Sequence, residues 1–334
     1  MPVKPLIFAL SLITVTGCAT RDQIAMVPPV AGAVQHEVLF ATNRSANARM
    51  FGETRSPHAS FGQATVAVPP DHQLGVVEYP ARPADPQSEF GLISAKTTTS
   101  IPAFEGLVNA QVAARSTNDR AAIVYVHGFN STFAEALYLN TQLIHDYNRT
   151  EVPVLFSWPS SGSSLAYLYD HESVLTARSP LETLLDTLQR SDVESFSIVA
   201  HSMGSQLVME TLRQRAIRAG GQQWPKLSAV ALVAPDIDVD VFAQLSEDMG
   251  GLPQPFAIIA SQNDQLLSLS GVVNGSVARV GSLTPQEDLL RSQATLVSAD
   301  FATEIWSSNH MTAFRSPEMI TYLSAFEARL ADTR

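Results

Sequence analysis

Short apolar runs, nearly unbroken by polar residues, recur through this 334-residue chain; AIVYV (122–126), VALVA (230–234) and FAIIA (256–260) are the clearest. A strand with one wet face alternates polar and apolar side chains, whereas an unbroken run suits a strand covered on both faces, as parallel strands are. Strands are predicted over 37–42, 64–68, 123–126, 154–158, 196–200, 229–233, 256–260 and 295–297. Helical patterns lie between them. Thr132-Phe133-Ala134-Glu135 is a capping box opening a helix to about residue 147. Ser179-Pro180-Leu181-Glu182 joins an N-cap, a proline at the first helical position and a box glutamate, and predicts a helix over 179–190. A third helix spans 203–219, with Leu207, Val208, Thr211 and Leu212 on one face; Ser316-Pro317 opens the last, with Ile320, Leu323 and Phe326 spaced for burial. Alternating β and α units predict an α/β fold with a mostly parallel, doubly wound sheet and helices on both faces.

With 45% apolar residues the chain is too hydrophobic to be disordered. A net charge of −11 argues against a nucleic-acid partner, which needs clustered Lys and Arg. The single cysteine, Cys18, excludes an internal disulfide, a cysteine zinc site and a redox pair.

The chemistry concentrates at residues 196–204, FSIVAHSMG: a β run, then His-Ser-Met-Gly, then a helix. This approximates the nucleophile elbow G-x-S-x-G, a sharp strand-to-helix turn that lifts a serine hydroxyl above the sheet. Gly204 is present, while Ala200 stands where the first glycine is usual. The bland alternative for Ser202 is a helix-capping serine. A serine hydroxyl attacks only with a base in reach and an acid orienting that base, in the chain order Ser, Asp or Glu, His for this fold. Of eight histidines only His310 lies downstream of Ser202, in the polar loop SSNHMTAF. Two acids compete. Asp264 follows the strand at 256–260 and is the first choice; Asp236, with Asp238 and Asp240, follows the preceding strand. Three close aspartates also fit a helix start, and the glycine and glutamate of a calcium loop are missing.

Upstream, IVYVHGFN (123–130) ends a strand in His-Gly and resembles the oxyanion loop of α/β hydrolases. There the Phe129 and Met203 amides are the expected oxyanion donors, Gly128 permits close approach, and His127 packs beneath the loop. The polar stretch 159–179 reads as a long loop near the site, and 71–120 as irregular.

The N-terminus carries an address. Lys4 precedes an apolar stretch from Leu6 to Val15, about 15 Å of helix and too short to span a bilayer, so it reads as a secretory signal. Val15-Thr16-Gly17-Cys18 resembles the lipobox of bacterial lipoproteins, which implies cleavage before Cys18 and its lipidation; ordinary cleavage after Ala19 is the alternative. Domain boundaries follow: signal 1–17, lipidated tether 18–34, and a domain over 35–334 with an N-terminal extension to 120, its part up to about Val68 read as an antiparallel edge, and a catalytic core from 121.

HGFN, FSWPS, AHSMG, LVAPDID, the Asp264 strand end and NHM, with LFATNR near residue 40 and FGQATVAVPP near 65, together resemble an uncharacterised bacterial group of esterase- or lipase-like α/β-hydrolase lipoproteins. The resemblance covers about residues 36–325. It implies the α/β-hydrolase fold and a serine hydrolase triad, and it implies no substrate. The residues themselves suggest a lipid-anchored serine hydrolase that uses Ser202, Asp264 and His310 on a small-molecule or lipid ester and needs no metal or organic cofactor. Ala19 after Cys18, in place of Asp, is similar to lipoproteins sent on to the outer membrane, so the expected location is the cell envelope, anchored at the outer membrane and facing the periplasm. The competing reading is a non-catalytic binding or scaffold protein on the same fold. Dehalogenase chemistry is disfavoured because it places Asp at the elbow, where this chain has Ser202.

Overall fold

The computed structural model describes residues 23–273, 275, 277–284, 294–302 and 309–332. The expected signal sequence and Cys18 lie outside these residues. The elements, in chain order, are β1 (Val34–Asn47), β2 (Met50–Val68), β3 (Gly91–Thr98), α1 (Ile101–Ala113), β4 (Ala122–Val126), α2 (Phe133–Asp146), β5 (Val152–Ser157), α3 (Tyr167–Arg190), β6 (Phe196–His201), α4 (Met203–Arg218), β7 (Leu227–Val233), α5 (Val239–Asp248), β8 (Phe256–Ala260), α6 (Gln265–Val273), β9 (Thr295–Ser298), α7 (Thr312–Arg315) and α8 (Pro317–Asp332).

One nine-stranded sheet runs β3-β2-β1-β5-β4-β6-β7-β8-β9. β1 pairs antiparallel with β2, and β2 with β3; every other pairing is parallel. The expected antiparallel N-terminal part therefore extends the same sheet. All six residues of β5 are buried, as are four of five in β4, which is why those stretches read as unbroken apolar runs. Phe104, Leu184, Leu207, Leu212 and Phe242 belong to a core on one face, and Phe133, Leu137, Tyr138, Phe314 and Met319 to one on the other. Chain order reverses at β4, which lies between β5 and β6, and the crevice at such a switch point is where ligands bind in open α/β sheets.

Three local expectations change. The stretch 71–120 is not irregular throughout: it contains β3 and α1, whose helix is capped by the Ser100 side chain. The polar stretch after Trp158 is a loop only to Ala166, because α3 starts at Tyr167 and continues through Pro180. An interior proline costs roughly 3 kcal/mol. Here Val174 and Ala177 before it, and Leu181, Leu184, Leu185 and Leu188 after it, are all fully buried, and each buried leucine contributes roughly 1.5–3 kcal/mol. Burial outweighs the local stop signal. Glu182 makes no cap and instead pairs with Arg218.

Finally, the expected tether is docked from Gln23 onward. Val27 donates to the Leu92 carbonyl at 3.0 Å, Leu92 donates to the Ala25 carbonyl at 2.8 Å, and the Val27 side chain is buried. This short parallel bridge covers the β3 edge, a backbone row otherwise open to mispairing. No helix among the described residues is long and apolar enough to cross a membrane.

Candidate active site

Ser202 sits between the end of β6 and the start of α4 with φ 51° and ψ −124°. Non-glycine residues rarely adopt this backbone, and holding one there costs on the order of 1–3 kcal/mol. Its neighbours fix it. The Ser202 amide donates to the Val233 carbonyl at 2.9 Å, and its carbonyl accepts from the Ser205 and Asp236 amides at 3.0 and 3.3 Å. The glycines explain themselves by distance. A Cβ on Gly204 would lie 2.2 Å from the His127 carbonyl oxygen, and one on Gly128 would lie 2.9 Å from the Ser202 Cβ. The two turns, after β4 and β6, thus approach too closely for any side chain. Ala200 lies one step earlier, inside β6, where its methyl is fully buried in the core. That is why glycine is dispensable there.

His310 lies two residues before α7, and its Nδ1 stands 2.6 Å from Asp264 Oδ2. The other oxygen of Asp264 accepts from the Leu267 amide at 3.0 Å, so the first turn of α6 aims the carboxylate. Both groups are buried. With Nδ1 facing the acid, Nε2 points from the opposite side of the ring, and Ser202 and His310 line one cavity of about 400 Å³. Asp236 takes no part in that pair. It lies 3.3 Å from the Arg279 guanidinium and accepts from the Ser270 and Tyr167 hydroxyls at 2.7 and 3.1 Å. Asp238 caps α5 by accepting from the Asp240 and Val241 amides. Phe129 lines the same cavity, and Met203, as first residue of α4, has an amide with no acceptor within its helix. A serine hydroxyl and a histidine paired with a carboxylate, with Ser202 and His310 lining one cavity, form an arrangement capable of acyl transfer.

The model of the α/β hydrolases of unknown function known as DUF900 matches residues 104–324. The chain belongs to that family. A comparison with curated protein sequences finds no match. Similar solved structures include a dienelactone hydrolase from Anabaena variabilis, at 11% identity and TM-score 0.40, covering 89% of this chain and 96% of that one. Esterase B from Lactobacillus rhamnosis is 14% identical, with TM-score 0.39 over 79% of this chain and 89% of the other. An esterase from Pyrobaculum calidifontis is 11% identical, with TM-score 0.38 over 81% and 82%. At such low similarity their activities remain statements about those proteins.

Three further residues of this hydrolase escape a sequence search for a triad. Arg44, buried in the LFATNR stretch, donates to Ser157 Oγ at 2.9 Å and to the carbonyls of Gly52, Ser160 and Ser131 at 3.1, 2.8 and 2.7 Å. Burial lowers its pKa to about 10, against the attraction of Asp170, Glu53 and Glu135. Asp170 of α3 accepts from the Asn130 and Ser161 amides at 3.2 and 2.7 Å and from the Ser160 hydroxyl. Together they tie the loop after β4 to the loop after β5. The unusual signal for Arg44 is a charged residue closing an apolar run; Asp170 offers none. His201, at the variable position of the elbow, faces the His310 carbonyl with Nε2 at 3.2 Å, and their rings stand 4.7 Å apart. A carbonyl only accepts, so Nε2 carries the proton.

His127 lies beneath its loop as expected, stacked on Trp158 at 5.1 Å with Nδ1 2.8 Å from the Gly128 carbonyl. Burial, with Arg44 nearby, lowers its pKa to about 3, and burial, with His310 nearby, pushes His201 well below its ordinary value. Both are neutral in the folded protein at pH 7.

Two outcomes follow from these contacts. Below pH 6.5 the unfolded chain protonates these histidines while the folded chain does not until near pH 3 for His127, so folding stability falls with pH. From pH 7 to 5 His127 should remove about 2 kcal/mol and His201 should act in the same direction, measured by urea denaturation across that range. Arg44→Met leaves a set of buried acceptors unpaired and should cost about 3–5 kcal/mol in the same measurement at pH 7.

Proposed function

We propose that this α/β hydrolase is a serine esterase that works through an acyl-enzyme. His310 Nε2 takes the Ser202 proton as Oγ attacks the ester carbonyl carbon. The oxyanion turns toward the Phe129 and Met203 amides; losing one such donor typically costs about 2.7–4 kcal/mol of transition-state stabilisation. His310 then gives its proton to the departing alcohol. In the second half it takes a proton from water, whose oxygen attacks the acyl carbon, and returns it to Ser202 as the acid leaves. Asp264 holds the ring in the tautomer with its proton on Nδ1 and stabilises the imidazolium. The observation that supports this most strongly is the 2.6 Å contact from His310 to Asp264 beside a cavity that Ser202 also lines.

A largely apolar ester suits the cavity, whose walls include Tyr79, Leu139, Leu267 and Met311, with Glu135, Asp236 and Arg315 among its charged residues. Leu266 and Leu269 line it too and are exposed. On nitrophenyl esters of graded acyl length, Ser202→Ala and His310→Ala should each lower kcat by about 10⁴-fold or more, and Asp264→Asn by about 10⁴-fold. Asp236→Asn should cost far less. A loss for Asp236→Asn that equals or exceeds that for Asp264→Asn would move the acid to the other strand end.

The proposal includes location: cleavage before Cys18, lipidation of its thiol and new amino group, and attachment at the outer membrane facing the periplasm. Since Gln23 is already docked, the five residues from Cys18 span at most about 18 Å, far less than the roughly 50 Å of a free tether ending at Val34. The catalytic body would then ride close to the lipid surface. Radiolabelled palmitate should enter the wild-type protein and not Cys18→Ser, which should leave the membrane fraction; a soluble, unlabelled wild type would contradict the anchor.

A further inference from the structure

Away from the catalytic cavity, three histidines and two carboxylates meet where the segment after β2 crosses the last turn of α2. His72 Nε2 lies 2.8 Å from Asp146 Oδ1, and His72 Nδ1 lies 2.8 Å from Glu78 Oε2. The side chains of His72 and Asp146 are 7% and 1% exposed. His145 joins them: one donor atom each from His72, His145 and Asp146 falls within 4.8 Å of the others. Behind this group, His36 Nε2 of β1 lies 3.3 Å from His145 Nδ1. Asp146 is aimed by the Gly75 amide at 2.8 Å and by the Gln142 side chain.

We propose that His72, His145 and Asp146 bind a divalent transition-metal ion of the zinc class. Two imidazoles and one carboxylate form a ligand set that zinc uses with water in the fourth position. Calcium and magnesium are poor matches, because they demand more oxygen ligands than one or two carboxylates provide. Tetrahedral donors about 2.0–2.1 Å from zinc stand roughly 3.4 Å apart. The 2.8 Å pair must open slightly, and all three donors already lie within 4.8 Å of one another. Glu78 and His36 supply the outer hydrogen bonds that fix metal-bound imidazoles. Without the ion, both ring nitrogens of His72 face carboxylate oxygens and carry protons; the ion replaces the proton on Nε2 and releases it to solvent.

The site is separate from the catalytic cavity, which none of its three ligands lines. It sits against the segment that follows His310. A Cβ on Gly75 would meet the Arg315 carbonyl at 2.3 Å, Gln142 donates to the Phe314 carbonyl at 3.1 Å, and the Tyr147 hydroxyl donates to the Ala313 carbonyl. A metal here joins the 72–78 segment, the end of α2 and α7. Sequence reading assigned no metal ligand, and His36, His72 and His145 are spaced too far apart in the chain to form a motif.

The test uses untagged protein stripped with EDTA, titrated with Zn²⁺ by calorimetry and with Co²⁺ by visible absorption. One equivalent should bind, produce the absorption of a four- or five-coordinate Co²⁺, and raise the thermal midpoint. His145→Gln and Asp146→Asn should abolish uptake, Glu78→Gln should weaken it about 10–100-fold, and His58→Gln, at an exposed histidine of β2, should bind as wild type. Paramagnetic Ni²⁺ should broaden the ring signals of wild-type His72 and His145 and spare those of His58, a readout independent of whether the variants fold. No stoichiometric uptake by the wild type, or broadening confined to other histidines, overturns the proposal.

Discussion

The backbone of Ser202 is the constraint on which the functional end of the molecule depends. With φ at 51°, the turn is held from three sides: by the Val233 carbonyl of β7, by the Asp236 amide beyond it, and by the contact of α4 with the end of β4. That last contact needs Gly204, since even a methyl would strike the His127 carbonyl. Strain of a few kcal/mol persists because neighbouring parallel strands with buried cores on both faces hold the ends of the turn. A serine placed this way projects into the cavity instead of capping its helix, and its side chain makes no cap to α4.

The second requirement is a loop after β4 that stays close to the serine without collapsing onto it. A fully buried guanidinium serves this end. Arg44 spends its donors on oxygens of Gly52, Ser131, Ser157 and Ser160, so each loop is fixed to β1 as well as to its own strand. The charge is tolerable because Asp170 and Glu135 are near and His127 is neutral. Had His127 been charged, two cations would face each other at 3.4 Å with little water between them. Such a network rigidifies only when fully satisfied, which ties the positions of Arg44, Ser157, Ser160 and Asp170 to one another.

Much of this was legible in the sequence, because it is local. FSIVAHSMG places strand, turn and helix in nine residues, and unbroken apolar runs announce strands with two dry faces. Chain order then selects His310, which the fold brings against Asp264. What was not legible depends on distant partners. The proline at 180 reads as a start and lies inside α3, because burial along the whole helix decides the matter. The strand at Gly91–Thr98 and the helix after it are weak patterns completed by β2 and by the core. Residues 23–33 look like linker until the β3 edge is there to receive them. Arg44 and the cluster around His72 are assembled from segments tens of residues apart, and no window of sequence contains either.

The central claim is that Ser202 is a nucleophile activated by His310, and active-site phosphonylation tests it most directly. Purified protein would be treated with a fluorophosphonate, followed by intact mass and peptide mapping, beside His310→Ala. The account predicts one adduct, on Ser202, formed readily by the wild type and very slowly by the variant. A folded wild type that takes no adduct, or takes it on another residue, would contradict the claim.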